Sequence, residues 1–326
     1  MEAEKNLPKL FCAEKLQPEA LAYLEGKVIL TSPNRRPYEG EDLEPYLREA
    51  EGLINARFAV SDELLDMAPK LKVVSNVSVG YNNLDLNALR KRNILATHTP
   101  GVMSNSVADL IICLMIGSCR RAVELDRAIR NGEWTDDKFL QWFGTDITGA
   151  KLGIIGCGRI GRVLARKVKS AFDMDVAYCN RHRDLQAEET LGIRYEERDE
   201  LLRTSDFVAL LVPLTKENYH MMGKEQFKMM KNSAVFINTA RGSLVNEPEL
   251  IEALKSGEIR AAGLDCLEQE PTYKDNELLR LPNTFITPHI GSSTYATREA
   301  MVMMACKAAV DILYGRTPDC IVPEMK

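Results

Sequence analysis

The 326-residue sequence is poor in features that mark several protein classes. It has four histidines and two tryptophans, and its eight cysteines (Cys12, Cys113, Cys119, Cys157, Cys179, Cys266, Cys306, Cys320) never form a CxxC pair. No Cys/His spacing resembles a ligand set, so no metal, zinc included, is expected. Thiols scattered through apolar stretches read as small hydrophobes of a reduced, cytoplasmic protein. The longest apolar run, Leu110–Gly117, falls well short of the ~20 residues a membrane span needs. The start, Met1-Glu2-Ala3-Glu4-Lys5-Asn6, lacks the basic-then-apolar layout of a signal peptide. No Lys/Arg block is present and the net charge is −5, which argues against nucleic acid or an anionic membrane as partner. Fourteen prolines and twenty glycines are too few for a collagen-like or low-complexity chain.

What remains is an ordinary globular composition, 45% hydrophobic and 27% charged, at a length that suits about two domains. Short β-rich runs alternate with helical patterns from end to end, the signature of α/β folding around parallel sheets. Strands are expected at 10–12, 28–30, 52–54, 71–74 and 94–96, with a helix from Asp62 to Met67 behind a Ser61 cap. The acidic stretch 39–51 reads as a solvated helix face. An apolar-periodic stretch from Val102 to Asn131, closed by Gly132, predicts one or two buried helices. Six more strands are expected at 152–155, 174–179, 207–212, 234–238, 260–264 and 284–287. Between two of them Asn246 caps a helix that carries Leu250, Ile251 and Leu254 and stops at Gly257. Six strands with intervening helices match a doubly wound nucleotide-binding sheet. A last helix, 294–314, is expected to return to the first domain.

Gly156-Cys157-Gly158-Arg159-Ile160-Gly161 fits G-x-G-x-x-G. Alone the pattern is weak, but it follows an apolar strand, opens a helix and leads to a second strand, the context a dinucleotide needs. The glycines permit a tight turn and close approach of a pyrophosphate, which meets free N–H groups at the helix N-terminus. An NAD site would carry Asp or Glu after the second strand to bind the ribose hydroxyls. Here Asn180-Arg181-His182-Arg183 stands there, Asn180 lying 19 residues past Gly161. An amide followed by arginines removes carboxylate repulsion and offers guanidinium partners for a 2′-phosphate, so NADPH is expected over NADH. Pro213, Thr215, Thr239, Ala240 and Asp265, in loops after later strands, are further cofactor candidates.

With four histidines, a histidine acid can be sought by elimination. His182 lies in the phosphate-side loop, and His220 has no acidic residue spaced to serve it. His98, at a strand end, is the runner-up. His289 follows the last strand of the nucleotide sheet, where open α/β sheets bind ligands. Arg241 follows another strand, and Asp265 with Glu270 follows a third. Reduction of a 2-keto acid needs such parts: a guanidinium for the carboxylate, an imidazolium to protonate the carbonyl oxygen, and a carboxylate to orient the ring and favour its charge.

These motifs, in order, carry a resemblance. The segments 78–85, Gly156–Gly161, Phe236–Gly242, Ala262–Asp265, Glu270-Pro271 and Pro288–Gly291 are similar to those of D-isomer-specific 2-hydroxyacid dehydrogenases. Trp142–Asp146, Tyr178–Arg183 and Glu268–Pro271 point within that family toward glyoxylate/hydroxypyruvate reductases that also reduce 2-ketogluconate. The resemblance implies two doubly wound parallel-sheet domains, a Rossmann-type cofactor domain (102–290) inserted in a discontinuous flavodoxin-like substrate domain (1–101 plus 291–326). It implies that Arg241 binds the substrate carboxylate and carbonyl and touches cofactor, that His289 donates the proton, and that Glu270 pairs with His289. Val79 and Gly80 N–H groups would hold the carboxylate, Ser292 would lie near substrate, and Asp265 near the carboxamide of the nicotinamide. In a homodimer Trp142 would reach the neighbouring site. Cys157 and Cys266 depart from commoner apolar residues, and Asn82 from a frequent Asp. Phosphoglycerate dehydrogenase is disfavoured by an end at Lys326 without room for a regulatory domain, and formate dehydrogenase by Glu rather than Gln at 270. A nucleotide-sensing corepressor of the same fold would not need Arg241, Glu270 and His289 together.

Overall fold

The structure, a computed structural model, describes residues 7–32, 43–56, 58–135 and 141–326. The chain divides into two compact units, Met1–Met103 with Ser293–Lys326, and Ser104–Ser292. Among the described residues no helix is long and apolar enough to cross a membrane.

The first unit holds β1 (Lys9–Cys12), β2 (Ile29–Thr31), β3 (Gly52–Asn55), β4 (Val73–Asn76) and β5 (Leu95–Thr97), all parallel in the order β2-β1-β3-β4-β5. That is the flavodoxin-type order. The period-2 alternation of strands sorts apolar side chains to two faces. Phe11, Leu53 and Val74 join Leu47, Leu65 and Leu89 on one side. Leu10, Cys12, Ile54 and Val73 join Met301, Ala305 and Ala309 of the helix Tyr295–Leu313 on the other. Each such large side chain stabilises the fold by roughly 1.5–3 kcal/mol through burial. Thr294 caps that C-terminal helix, its side chain accepting the Thr297 N–H.

The second unit holds β6 (Lys151–Ile155), β7 (Asp175–Cys179), β8 (Arg194–Tyr195), β9 (Phe207–Leu210), β10 (Val235–Asn238), β11 (Ala261–Leu264) and β12 (Thr284–Ile286). The order β12-β11-β10-β9-β6-β7-β8 is the Rossmann order with one strand added beyond the sixth. That extra strand, β12, is among those expected; the strand that escapes sequence reading is β8, whose two residues are too few to show alternation. β9, β10 and β11 are buried throughout, as strands covered on both faces by helices should be. The Asn246 cap holds as expected, its Oδ1 accepting the Glu249 N–H, and Gly257 closes the helix in the left-handed region.

Three expectations need correction. Ser61 precedes the helix Asp62–Asp66 but its side chain makes no cap to the helix backbone. The stretch 102–131 is two helices with different environments: Ser104–Cys119 is buried along much of its length, whereas Ala122–Arg130 buries none of its residues. Arg121 breaks them apart in the left-handed region, at φ 55°. Of the acidic stretch 39–51, residues 39–42 lie outside the described residues, while Glu44–Leu47 is a short helix that buries Leu47 rather than a wholly solvated face.

Candidate active site

β10, β11 and β12 run in register, Asn238 beside Leu264 and Leu264 beside Ile286. Their C-terminal ends therefore line up, and the residues just beyond them meet. Asp265 N–H donates to Asn238 O at 2.9 Å and Thr287 N–H to Leu264 O at 2.8 Å, carrying the parallel ladder one step past the strands.

From the β12 end the chain turns sharply, and His289 sits in the left-handed region at φ 54°. That conformation is uncommon for a side-chain-bearing residue and must be held by its surroundings. The buried Asp265 does this. Its Oδ1 accepts from Thr287 Oγ1 at 2.6 Å and Ile290 N–H at 2.7 Å, and its Oδ2 from Gly291 N–H at 2.8 Å. The sequence reading set Asp265 beside the nicotinamide; in the structure its carboxylate shapes the turn that presents His289.

The imidazole Nδ1 of His289 lies 2.7 Å from Glu270 Oε2. Glu270 Oε1 in turn accepts the Leu267 N–H at 3.1 Å. The Glu270 hydrogen bond raises the proton affinity of the ring; burial and the Arg241 charge oppose it, and the net value lies above that of an ordinary histidine. Burial acts to raise the Glu270 carboxyl, but the His289 bond and charge, the Leu267 N–H and Arg241 outweigh it and hold it below the usual glutamate range. The Arg241 charge acts on both partners in the same direction, lowering each. Its backbone is clamped by Asn238, whose Nδ2 donates to Arg241 O at 2.9 Å, and Nη1 of its own guanidinium donates to Ala240 O at 2.7 Å. Gly242 allows the loop after β11 to approach: a Cβ there would stand 1.8 Å from Leu267 O.

The fingerprint lies where the sheet order reverses, between β6 and β9, the usual place for a nucleotide. Gly156 has φ +99°, and a Cβ on it would come within 2.8 Å of Leu211 and Val212 backbone atoms. Gly158 faces open space, with nothing within 4 Å of its notional Cβ, so a pyrophosphate can approach the backbone there. Gly158 also begins the helix Arg159–Phe172 with no side-chain cap, which leaves first-turn N–H groups for an anion. Ile160 is half-buried behind Arg159 in that first turn, and Cys157, its thiol pushed up to about 11 by burial, packs beneath the loop as a neutral hydrophobe. The residues present fit a dinucleotide.

Beyond β7 the structure separates residues that look alike in sequence. Asn180 faces the fingerprint: its Oδ1 accepts the Cys157 N–H at 2.7 Å and its Nδ2 donates to Cys157 O at 3.3 Å. Arg183 is engaged, both Nε and Nη2 donating to Glu188 at 2.7 Å. Arg159 and Arg181 are exposed and form no hydrogen bond or ion pair among the described residues. The loop after β9 is stapled by Asn218, which donates to Pro213 O and accepts the Thr215 N–H, each at 2.7 Å. Beyond β10 the Thr239 hydroxyl is buried without a partner among the described residues, and Ala240 N–H donates to Asn238 Oδ1 at 3.0 Å. Ser292, half-buried, follows the His289 turn.

In the first unit Val79 and Gly80 are half-buried on a loop whose carbonyls are taken up from within. Thr99 N–H donates to Ser78 O at 2.9 Å, His98 Nδ1 lies 3.0 Å from Val79 O, and Asn76 Nδ2 donates to Gly80 O at 3.0 Å. His98, the runner-up acid, is a brace for this loop. Sequence reading missed that role, as it missed the turn-forming task of Asp265 and the acidic partner of His220, whose Nε2 lies 2.7 Å from Glu268 Oε1; none has a local pattern.

Fold and site together define a dinucleotide-dependent oxidoreductase. Residues 112–291 match the model of the D-isomer specific 2-hydroxyacid dehydrogenase NAD binding domain. The glyoxylate/hydroxypyruvate reductase B of Citrobacter koseri is 43% identical over 98% of this chain and 99% of its own. Among solved structures, a glyoxylate reductase from Paecilomyes thermophila superposes with TM-score 0.87 and 30% identity, covering 98% of this chain and all of the other (100%). An NADPH-dependent glyoxylate/hydroxypyruvate reductase from Sinorhizobium meliloti, in complex with NADP and malonate, gives TM-score 0.83 at 28% identity, covering 98% and 97%. The chain belongs to the D-isomer-specific 2-hydroxyacid dehydrogenase family.

Proposed function

We propose that this enzyme reduces small 2-keto acids, glyoxylate and hydroxypyruvate foremost and 2-ketogluconate in addition, to 2-hydroxy acids with NADPH in preference to NADH. The relatives named for the first two substrates, and the NADP-bound relative, support this reading. A reduced nicotinamide supplies the hydride when bound. Arg241 takes the substrate carboxylate and polarises the carbonyl. His289, with Nδ1 engaged by Glu270, presents Nε2 to the carbonyl oxygen and gives up its proton there as charge develops on that oxygen. Glu270 keeps the ring oriented and charged until that moment. Val79 and Gly80 offer backbone donors of the kind a carboxylate takes up, and Ser292 contributes beside His289. Arg159 answers the pyrophosphate, and Arg181, the exposed guanidinium beyond β7, the 2′-phosphate.

The 2.7 Å contact between His289 and Glu270, with the ring's proton affinity raised, carries the proposal. We extend it to a homodimer in a reducing cytoplasm, with Trp142 reaching the neighbouring site. Eight free cysteines and the exposed Ile129, Trp134 and Phe143 near the Ala122–Arg130 helix support that extension. The test is cofactor oxidation followed with a panel of 2-keto acids and each nicotinamide cofactor. Glyoxylate and hydroxypyruvate should be reduced, faster with NADPH; cofactor binding without turnover of any keto acid would instead mark a nucleotide sensor.

A further inference from the structure

Cys266 has no part in the proton transfer, yet its sulfur stands 3.8 Å from the same Nδ1 of His289 that faces Glu270. One ligand atom each from Cys266, Glu270 and His289 lies within 4.8 Å of the others, the one such trio among the described residues. The three side chains differ in access: the thiol is buried, whereas His289 and Glu270 are exposed and leave an approach from solvent. Thiolate, imidazole and carboxylate together form a donor set suited to a borderline-soft divalent cation rather than to magnesium or calcium.

We infer that Cys266 Sγ, His289 Nδ1 and a Glu270 oxygen form a binding site for a zinc ion, and that its occupation reversibly switches off the enzyme. A tetrahedral zinc takes sulfur at about 2.3 Å and nitrogen or oxygen at about 2.0–2.2 Å, so sulfur stands roughly 3.5–3.7 Å from its neighbours and nitrogen roughly 3.3–3.5 Å from oxygen. The sulfur–nitrogen distance of 3.8 Å must close slightly, the nitrogen–oxygen distance of 2.7 Å must open by roughly 0.6–0.8 Å and the sulfur–oxygen distance, no more than 4.8 Å, must close by up to about 1 Å, with water as the fourth ligand. Capture releases two protons, one from the thiol and the one that His289 shares with Glu270. A ring metallated at Nδ1 cannot become imidazolium, and Glu270, neutralised by the ion, no longer favours that charge. The acid of the proposed reaction is then absent while the fold and the cofactor loop remain intact. Spacing in the sequence hides the site, because its ligands leave two different strands and meet only in three dimensions.

The binding claim stands on geometry; the inhibition rests on the proposed reductase activity, and the experiment separates them. Zinc uptake by the untagged protein is measured without substrate, by competition with a chromophoric chelator, for wild type, Cys266→Val and Cys266→Ala. Wild type should take up one zinc per chain, and both variants should bind at least about tenfold more weakly, as loss of a ligand demands. Magnesium should not compete. Turnover of glyoxylate by wild type should fall in step with occupancy and return on adding EDTA, while the variants keep their activity in the presence of zinc. No uptake by wild type, or equal uptake by folded variants, overturns the site. Zinc uptake that depends on Cys266 in a protein that turns over no keto acid keeps the site and refutes the activity; full turnover at full occupancy refutes the switch.

Discussion

Replacing Gly242 by Ala should disable the enzyme without touching any group that meets substrate or cofactor. The added Cβ would stand 1.8 Å from Leu267 O, 1.9 Å from Leu267 C and 2.3 Å from Glu268 N, where ordinary contact begins near 3.4 Å. All three colliding atoms belong to backbone, so no side-chain rotation relieves them. The segment must retreat by roughly 1.6 Å, and misplacement on the order of 1 Å costs catalysis about a hundredfold. Retreat breaks the arrangement at its hinge: Leu267 N–H holds Glu270 Oε1, and Glu268 N–H is anchored on Glu247 Oε2 at 3.0 Å. We expect kcat/KM for glyoxylate to fall about 10²-fold, within the ~10²–10⁴ that positioned acid catalysis contributes. Overpacking should also lower stability by ~1–3 kcal/mol, visible as a reduced Tm. NADPH affinity, read by nicotinamide fluorescence, should hold, since the fingerprint follows β6, two strands away from β10 in the sheet. A folded Gly242→Ala enzyme with wild-type kcat/KM would refute the claim that this approach positions Glu270.

Three further outcomes are expected. His289→Ala should lower kcat by ~10²–10⁴; a wild-type kcat in steady-state assay would remove His289 as the acid. Glu270→Gln should shift the pH profile: the acid must be protonated for reduction, so kcat/KM declines as pH rises through the His289 pKa. Glu270 raises that pKa, so the variant's decline should come at lower pH, and an unmoved profile would contradict the pairing. The double change Asn180→Asp, Arg181→Ala should move the kcat/KM preference from NADPH toward NADH. The introduced carboxylate can still accept the Cys157 N–H that Asn180 accepts at 2.7 Å and gives up only the longer 3.3 Å donation to Cys157 O, so the loop should survive and an unchanged preference would count against Arg181.

Much of this protein is legible residue by residue, because the physical demand is local. A pyrophosphate turn needs glycines between a strand and a helix, and Gly156, Gly158 and Gly161 announce it. The Asn246 cap and the Gly257 stop are equally local. Even the strand ends bearing Arg241, Asp265, Glu270 and His289 can be placed, since short apolar runs end there. Other features have no such mark. β8 is too short to carry a period, Ser61 precedes a helix without capping it, and Ala122–Arg130 is exposed although it directly continues a buried helix. Parallel strands are joined only through crossovers, so which side chains meet depends on register across β10, β11 and β12. The tertiary fold therefore brings Cys266 to His289, sets Asp265 to support a strained turn, and makes His98 a brace. It also divides Arg183, held by Glu188, from Arg181, which is exposed and makes no hydrogen bond among the described residues. Conformational needs of single segments are written in neighbouring residues; meetings between distant segments are decided by how the sheets stack them.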